Sequence, residues 1–162
     1  MSLYKRRQVL GAGAMLPLLA ACGFTPAYAP GGAGTALRGQ VRAADPTDSL
    51  GFDFVAALED RLGRPASPRF DLAYSVVTSE RGSARVAGVG ETRISVIGTV
   101  RYELTERATG DTVTSGSVRN FTNYSTTSTQ LASLRAREDA ERRLMRILAD
   151  QVATRLIAAQ AE

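Results

Sequence analysis

Ile94-Ser95-Val96-Ile97-Gly98-Thr99-Val100-Arg101-Tyr102-Glu103-Leu104 is the stretch on which the fold turns. Successive side chains of an extended chain point to opposite faces, so Ile94, Val96, Val100, Tyr102 and Leu104 line one side. Arg93, Ser95, Thr99, Arg101 and Glu103 share the other. Such a strand belongs in an antiparallel sheet with one buried and one polar face. Thr109-Gly110-Asp111 turns the chain into a further strand, Thr112 to about Tyr124. Upstream, Phe70, Leu72, Tyr74 and Val76 alternate in the same way. Between these two alternating runs, Ser79 to Gly90 breaks the pattern with Gly82, Gly88 and Gly90, so an arginine-bearing, glycine-rich loop is expected there.

Two helical periods flank the strands. Leu50, Phe54, Leu58 and Leu62 recur every four residues, with Val55 and Ala57 widening the stripe. Asp48 or Ser49 is placed to cap this helix, and Gly63 and Pro65 to stop it. Ser128 or Thr129 precedes a long helix, Gln130 to about Ala159, with Ala136, Ala140, Leu144, Ile147, Leu148, Val152 and Leu156 on its apolar face. Glu138 and Arg142 are spaced for an ion pair on its solvated side. Leu37 and Val41, alternating with Arg38 and Arg42, predict a short first strand. The expected fold is α+β, a two-layer sandwich of order β-α-β-β-β-α with both helices on one face of a four-stranded, mostly antiparallel sheet.

The N-terminus carries an address. Val9 to Ala21 is an apolar run behind Lys5-Arg6-Arg7, and Leu19-Ala20-Ala21-Cys22 follows the pattern of a lipoprotein cleavage site. The run is 13 residues long, short of the roughly 20 that a spanning helix needs. Residues 1–21 therefore read as a lipoprotein signal peptide, Cys22 as the lipidated residue, 22–34 as a flexible tether rich in Gly, Pro and Ala, and 35–162 as a single domain. Gly23 rather than an aspartate follows the cysteine, which points to the outer membrane, lipid-anchored on the periplasmic side. Arg6-Arg7 also fits twin-arginine export, and the choice between that and the general secretory route stays open.

Composition excludes several functions. The full chain has a formal charge of +4, and removing the signal leaves +1, so the basic stripe of a nucleic-acid binder is missing. There is no histidine or tryptophan, and Cys22 is the one cysteine. Histidine-based nucleophile systems, a histidine general base and the usual zinc sites are thereby unavailable, and no cofactor is expected beyond the covalent lipid on Cys22. The carboxylates Asp53, Glu59, Asp60, Asp71, Glu80, Glu91 and Glu103 are scattered, mostly beside arginines, so no enzyme is expected.

Cys22-Gly23-Phe24-Thr25-Pro26-Ala27-Tyr28, opening a small lipoprotein, resembles the lipopolysaccharide-assembly lipoprotein family LptE in its alphaproteobacterial form. The helix Leu50 to Gly63, the strand Val100-Arg101-Tyr102-Glu103-Leu104 ending in Ala108-Thr109-Gly110-Asp111, and Arg137-Glu138-Asp139-Ala140 followed by Leu144, Leu148 and Leu156 are similar to that family's pattern. The resemblance implies a two-helix, four-stranded sandwich and a non-enzymatic role. In that role the protein plugs an LptD-type outer-membrane β-barrel, assists its assembly and contacts lipopolysaccharide. On this reading Arg81, Arg85 and Arg93 are candidate lipopolysaccharide-binding residues, since arginine grips phosphate through paired donors, and Ser95, Thr99 and Arg101 are candidates to face the hydrated barrel. A subunit of an ABC-type phospholipid-trafficking system, a purely structural envelope lipoprotein and a lipid-anchored hydrolase are the alternatives.

Overall fold

The protein is described from a computed structural model, which covers residues 32–86, 90–126 and 129–160. Four strands form one sheet, β1 (Val41–Ala43), β2 (Phe70–Val86), β3 (Gly90–Glu106) and β4 (Thr112–Ser125), in the spatial order β1-β2-β3-β4. Helices α1 (Ala33–Leu37), α2 (Ser49–Leu62) and α3 (Gln130–Ala159) complete the chain. The sheet is mostly antiparallel: β2 with β3 and β3 with β4 are antiparallel, and β1 runs parallel to β2 with Val41 opposite Phe70. A parallel pair needs a long crossover, and α2 supplies it.

Local chemistry sets the helix ends. Asp48 accepts a 2.7 Å hydrogen bond from the Gly51 amide, satisfying one of the donors left free at a helix start. Thr129 does the same for Ala132 at 3.3 Å. Phe54, Leu58 and Leu62 of α2 are buried, with Leu50, Val55 and Ala57 packed at the margin. α3 is about 45 Å long at 1.5 Å per residue. It packs on β3, β4 and α2, so both long helices cover the same sheet face.

The core lies between these layers. Leu72, Val96, Val100 and Leu104 from the sheet meet Leu144, Leu148, Val152 and Leu156 from α3, all essentially inaccessible. Burying a side chain of this size is worth about 1.5–3 kcal/mol. Two glycines let the layers close. A β-carbon on Gly98 would sit 2.8 Å from Leu148 Cδ1 and 3.0 Å from Leu144 Cδ2, so α3 touches the β3 backbone itself. Gly116 stands opposite Tyr102 in the ladder, and the Tyr102 ring lies over it. The buried Thr122 hydroxyl donates to the Ala140 carbonyl at 2.9 Å, tying β4 to α3.

Several expectations are corrected. Leu37 belongs to α1 rather than to a first strand, because Gly39, at φ 70°, turns the chain between helix and strand and leaves only Val41–Ala43 extended. α1 also takes in Ala33 and Gly34, which the sequence places in the tether. Ser79 to Gly90 is not a loop in its described part. β2 continues to Val86 and β3 resumes at Gly90, with irregularities between Gly82 and Arg85, because ladder hydrogen bonds need no apolar alternation once the strands run past the helical layer. In α3, Ile147 is 37% exposed, while Met145, Ala149 and Ala153 are buried. A helix wedged against both a sheet and a second helix needs a wider apolar arc than a one-sided stripe. The expected Glu138–Arg142 pair does not form. Glu138 bonds Arg135 at 2.9 Å, and Arg142 faces Asp139 at 3.7 Å.

Gly98→Ala forces the helical layer away from the sheet. Loss of about 1–3 kcal/mol is expected from overpacking, read as a lower urea midpoint, and an unchanged midpoint would show that α3 does not rest on the β3 backbone.

Candidate functional site

With one sheet face buried beneath two helices, the other is left open, and the register determines what gathers there. Ser75, Arg101 and Ser117 form one row across β2, β3 and β4. Val77, Thr99 and Arg119 form the next, followed by Ser79, Ile97 and Phe121, then Arg81, Ser95 and Asn123. Ala84, Arg93 and Ser125 follow toward the hairpin end. The two residue sets that the sequence reading kept apart, Arg81 and Arg93 for one ligand and Ser95, Thr99 and Arg101 for another, therefore share a single surface. Arg85 lies opposite Glu91 in the backbone ladder, but its side chain lies outside the described residues, as does Cys22.

The surface is polar at its ends and apolar in the middle. Ser95 Oγ donates to Asn123 Oδ1 at 2.5 Å. Val77 and Phe121 stand 58% and 57% exposed around the half-buried Ile97. Val77, Ile97, Arg119 and Phe121 were not among the residues singled out from sequence. Carrying the two-residue period through Ile97 and across into β4 is the signal that finds them.

Charge is distributed unevenly. Arg61 pairs with Asp150 at 2.9 Å, Arg69 with Glu106 at 2.7 Å, Arg107 with Asp71 at 3.2 Å and Arg137 with both Glu80 and Glu141 at 2.9 and 3.0 Å. Among the described residues, the guanidinium groups of Arg81, Arg93, Arg101 and Arg119 have no such partner. Exposed ion pairs add only about 0–1 kcal/mol each, so the consequence is electrostatic: the open sheet face carries uncompensated positive charge.

Where the hairpin meets α3, Glu80 links Arg137 to the Tyr124 hydroxyl, which donates to Glu80 Oε1 at 3.4 Å. Burial, and then the nearby Glu80 carboxylate, push the Tyr124 phenol above its ordinary range. Tyr74, tilted against Phe54 at 4.9 Å, is raised by burial and then by Asp48 and Asp45. Among the described residues, no group of three or more His, Cys, Asp or Glu could hold a metal ion, and no helix is long and apolar enough to cross a membrane.

The family model for LptE, lipopolysaccharide assembly, matches residues 37–156. The chain belongs to the LptE family. That family is one of non-enzymatic lipoproteins of lipopolysaccharide assembly. No curated protein matches the chain. Solved structures share the LptE-like fold at low identity. A protein described as a lipoprotein from Caulobacter crescentus CB15 is 21% identical, with 80% of this chain and 96% of that one covered and a TM-score of 0.66. A minor lipoprotein from Acinetobacter baumannii is 14% identical over 74% and 89%, with a TM-score of 0.54. Rare lipoprotein B from Shewanella oneidensis is 12% identical over 75% and 92%, with a TM-score of 0.52.

The raised tyrosines give this LptE-family chain an alkaline limit. An unfolded tyrosine ionises near 10, whereas Tyr74 and Tyr124 stay neutral to higher pH in the fold, so their stabilising effect is complete below 10 and is lost as pH climbs through their folded values. Urea midpoints between pH 8 and 11.5 are expected to fall above pH 10, less steeply in Tyr124→Phe. A flat profile would contradict the assignment.

Proposed function

We propose that this protein is an outer-membrane lipoprotein, anchored on the periplasmic side through lipid on Cys22, that plugs an LptD-type β-barrel, assists its assembly and takes part in lipopolysaccharide transport to the cell surface. Membership of the LptE family supports the pathway. The observation that carries the plug reading is the open sheet face, where Ser95, Thr99 and Arg101 stand among serines and unpaired arginines. Large outer-membrane barrels are polar within and apolar without, so a surface of hydroxyls and guanidinium groups suits the water-filled lumen and not the lipid side.

Arg81, Arg85 and Arg93, grouped by sequence toward the hairpin end, are the proposed lipopolysaccharide contacts, their guanidinium groups matching phosphate oxygens in pairs. No catalytic step is part of this role. Lipid attachment supplies the membrane affinity: each buried acyl methylene contributes about 0.8 kcal/mol, and more than one chain makes the anchoring stable.

Gentle detergent extraction of the tagged native protein is expected to bring down a large outer-membrane β-barrel. Recovery of an ABC-transporter complex in its place would favour the phospholipid-trafficking alternative, and recovery of neither would end the plug reading. Cys22→Ser is expected to fold normally yet appear in the soluble periplasmic fraction, and palmitate label remaining on that variant would refute the anchor. Arg81→Ala combined with Arg85→Ala is expected to weaken lipopolysaccharide binding by about tenfold, the scale of one lost charge-assisted pair, with an unchanged melting temperature. Undiminished affinity would remove the hairpin from the site.

A further inference from the structure

The centre of the open sheet face differs from its surroundings. Ile97 and Phe121 are directly opposite in the ladder, and Val77 lies one row away on β2. The Phe121 amide donates to its own neighbour, Asn120 Oδ1, at 2.8 Å. An amide bonded this way points off the sheet edge, which makes Ile97 and Phe121 a pair of the non-hydrogen-bonded kind, with closer side chains. The same bond engages the Phe121 donor on the sheet edge, so a visiting strand finds no free donor at that position. Around the apolar spot stand Arg81, Arg101 and Arg119, none with a carboxylate partner among the described residues. The described carboxylates of the same face are engaged: Asp71 with Arg107, and Glu103, one row beyond Arg101 on β3, which accepts from the Thr112 hydroxyl at 2.7 Å.

We infer that this spot is a docking site for an acidic polypeptide segment of the partner, one that seats a large apolar side chain on Ile97 and Phe121 and sets Asp or Glu carboxylates against Arg101 and Arg119. The inference rests on the plug reading and names which surface the partner holds and with what chemistry. Charge complementarity selects the occupant, because uncompensated guanidinium groups become favourable at an interface when anionic groups meet them, and carboxylates are the anions that a polypeptide supplies. A single large apolar residue ringed by polar contacts is the usual form of an interface anchor. Three apolar side chains interrupted by Thr99 and Ser79 make too small and too polar a patch for the continuous contact that an acyl chain needs.

The test uses the full lipidated chain in its own membrane. Wild-type extraction first reads whether a barrel comes down at all, which decides the plug reading. Arg101→Glu with Arg119→Glu is expected to lower barrel recovery about tenfold or more. Arg101→Lys with Arg119→Lys, which keeps the charge, is expected to retain most of it. Arg38→Glu with Arg146→Glu, changing exposed arginines on the helical side, is expected to leave recovery within about twofold, as rim charges outside an interface do. Phe121→Ser is expected to lose about tenfold at unchanged melting temperature. A photo-crosslinking amino acid in place of Thr99 then identifies the neighbour, and a sequenced barrel peptide containing Asp or Glu supports the docking site. Full barrel recovery by the Arg101→Glu, Arg119→Glu variant overturns the inference and leaves the plug reading standing. An adduct with lipid, with a second copy of this chain or with a peptide lacking carboxylates overturns it as well. If wild type recovers no barrel, the plug reading fails and the inference built on it falls too.

Discussion

Contact between α3 and the bare backbone of β3 at Gly98 is the constraint from which the architecture follows. Leu144 and Leu148 reach the sheet there at distances that leave no room for a β-carbon, and this brings Leu156, Val152 and the strand residues Val96, Val100 and Leu104 into one dry layer. Because α2 packs against α3, it is drawn onto the same side. Interiors packed at crystal-like density transmit such a contact over several turns. The sheet therefore has one face closed by helices and one left to water.

That asymmetry sets what the surface of this chain presents, since the sequence has no histidine and a single cysteine. The carboxylates mostly pair with arginines on the helical side and at one end of the sheet, as Asp150 does with Arg61 and Glu106 with Arg69. The open face keeps Arg81, Arg93, Arg101 and Arg119 unpaired among the described residues. A protein of the LptE family built in this way offers a cationic plate with a small apolar centre.

Much of this was legible from residue order. The β-α-β-β-β-α succession and the buried positions Phe54, Leu72, Val100 and Leu148 follow from periods of two and of about 3.6 residues, which local geometry enforces, while each helix start was narrowed to two capping candidates, of which Asp48 and Thr129 make the bond. Ser79 to Val86 was misread because its pairing extends beyond the helical layer, where neither face needs apolar residues. Ile147 was misplaced because α3 serves two partners, and the direction of the second cannot be read from the helix alone. Phe121 was passed over because its face depends on its register with Ile97, a relation between strands 24 positions apart in sequence.

The sequence by itself determined the two long helices, the alternating cores of the strands and which side of each is apolar, since these rest on interactions within a few residues, whereas α1 and the extension of β2 to Val86 were outside its reach. Tertiary structure alone decided that residues from three strands meet as one surface, which arginines find carboxylates and which do not, and how closely helix and sheet approach. Those outcomes depend on pairing register and on side chains distant in the chain, and no local period encodes them.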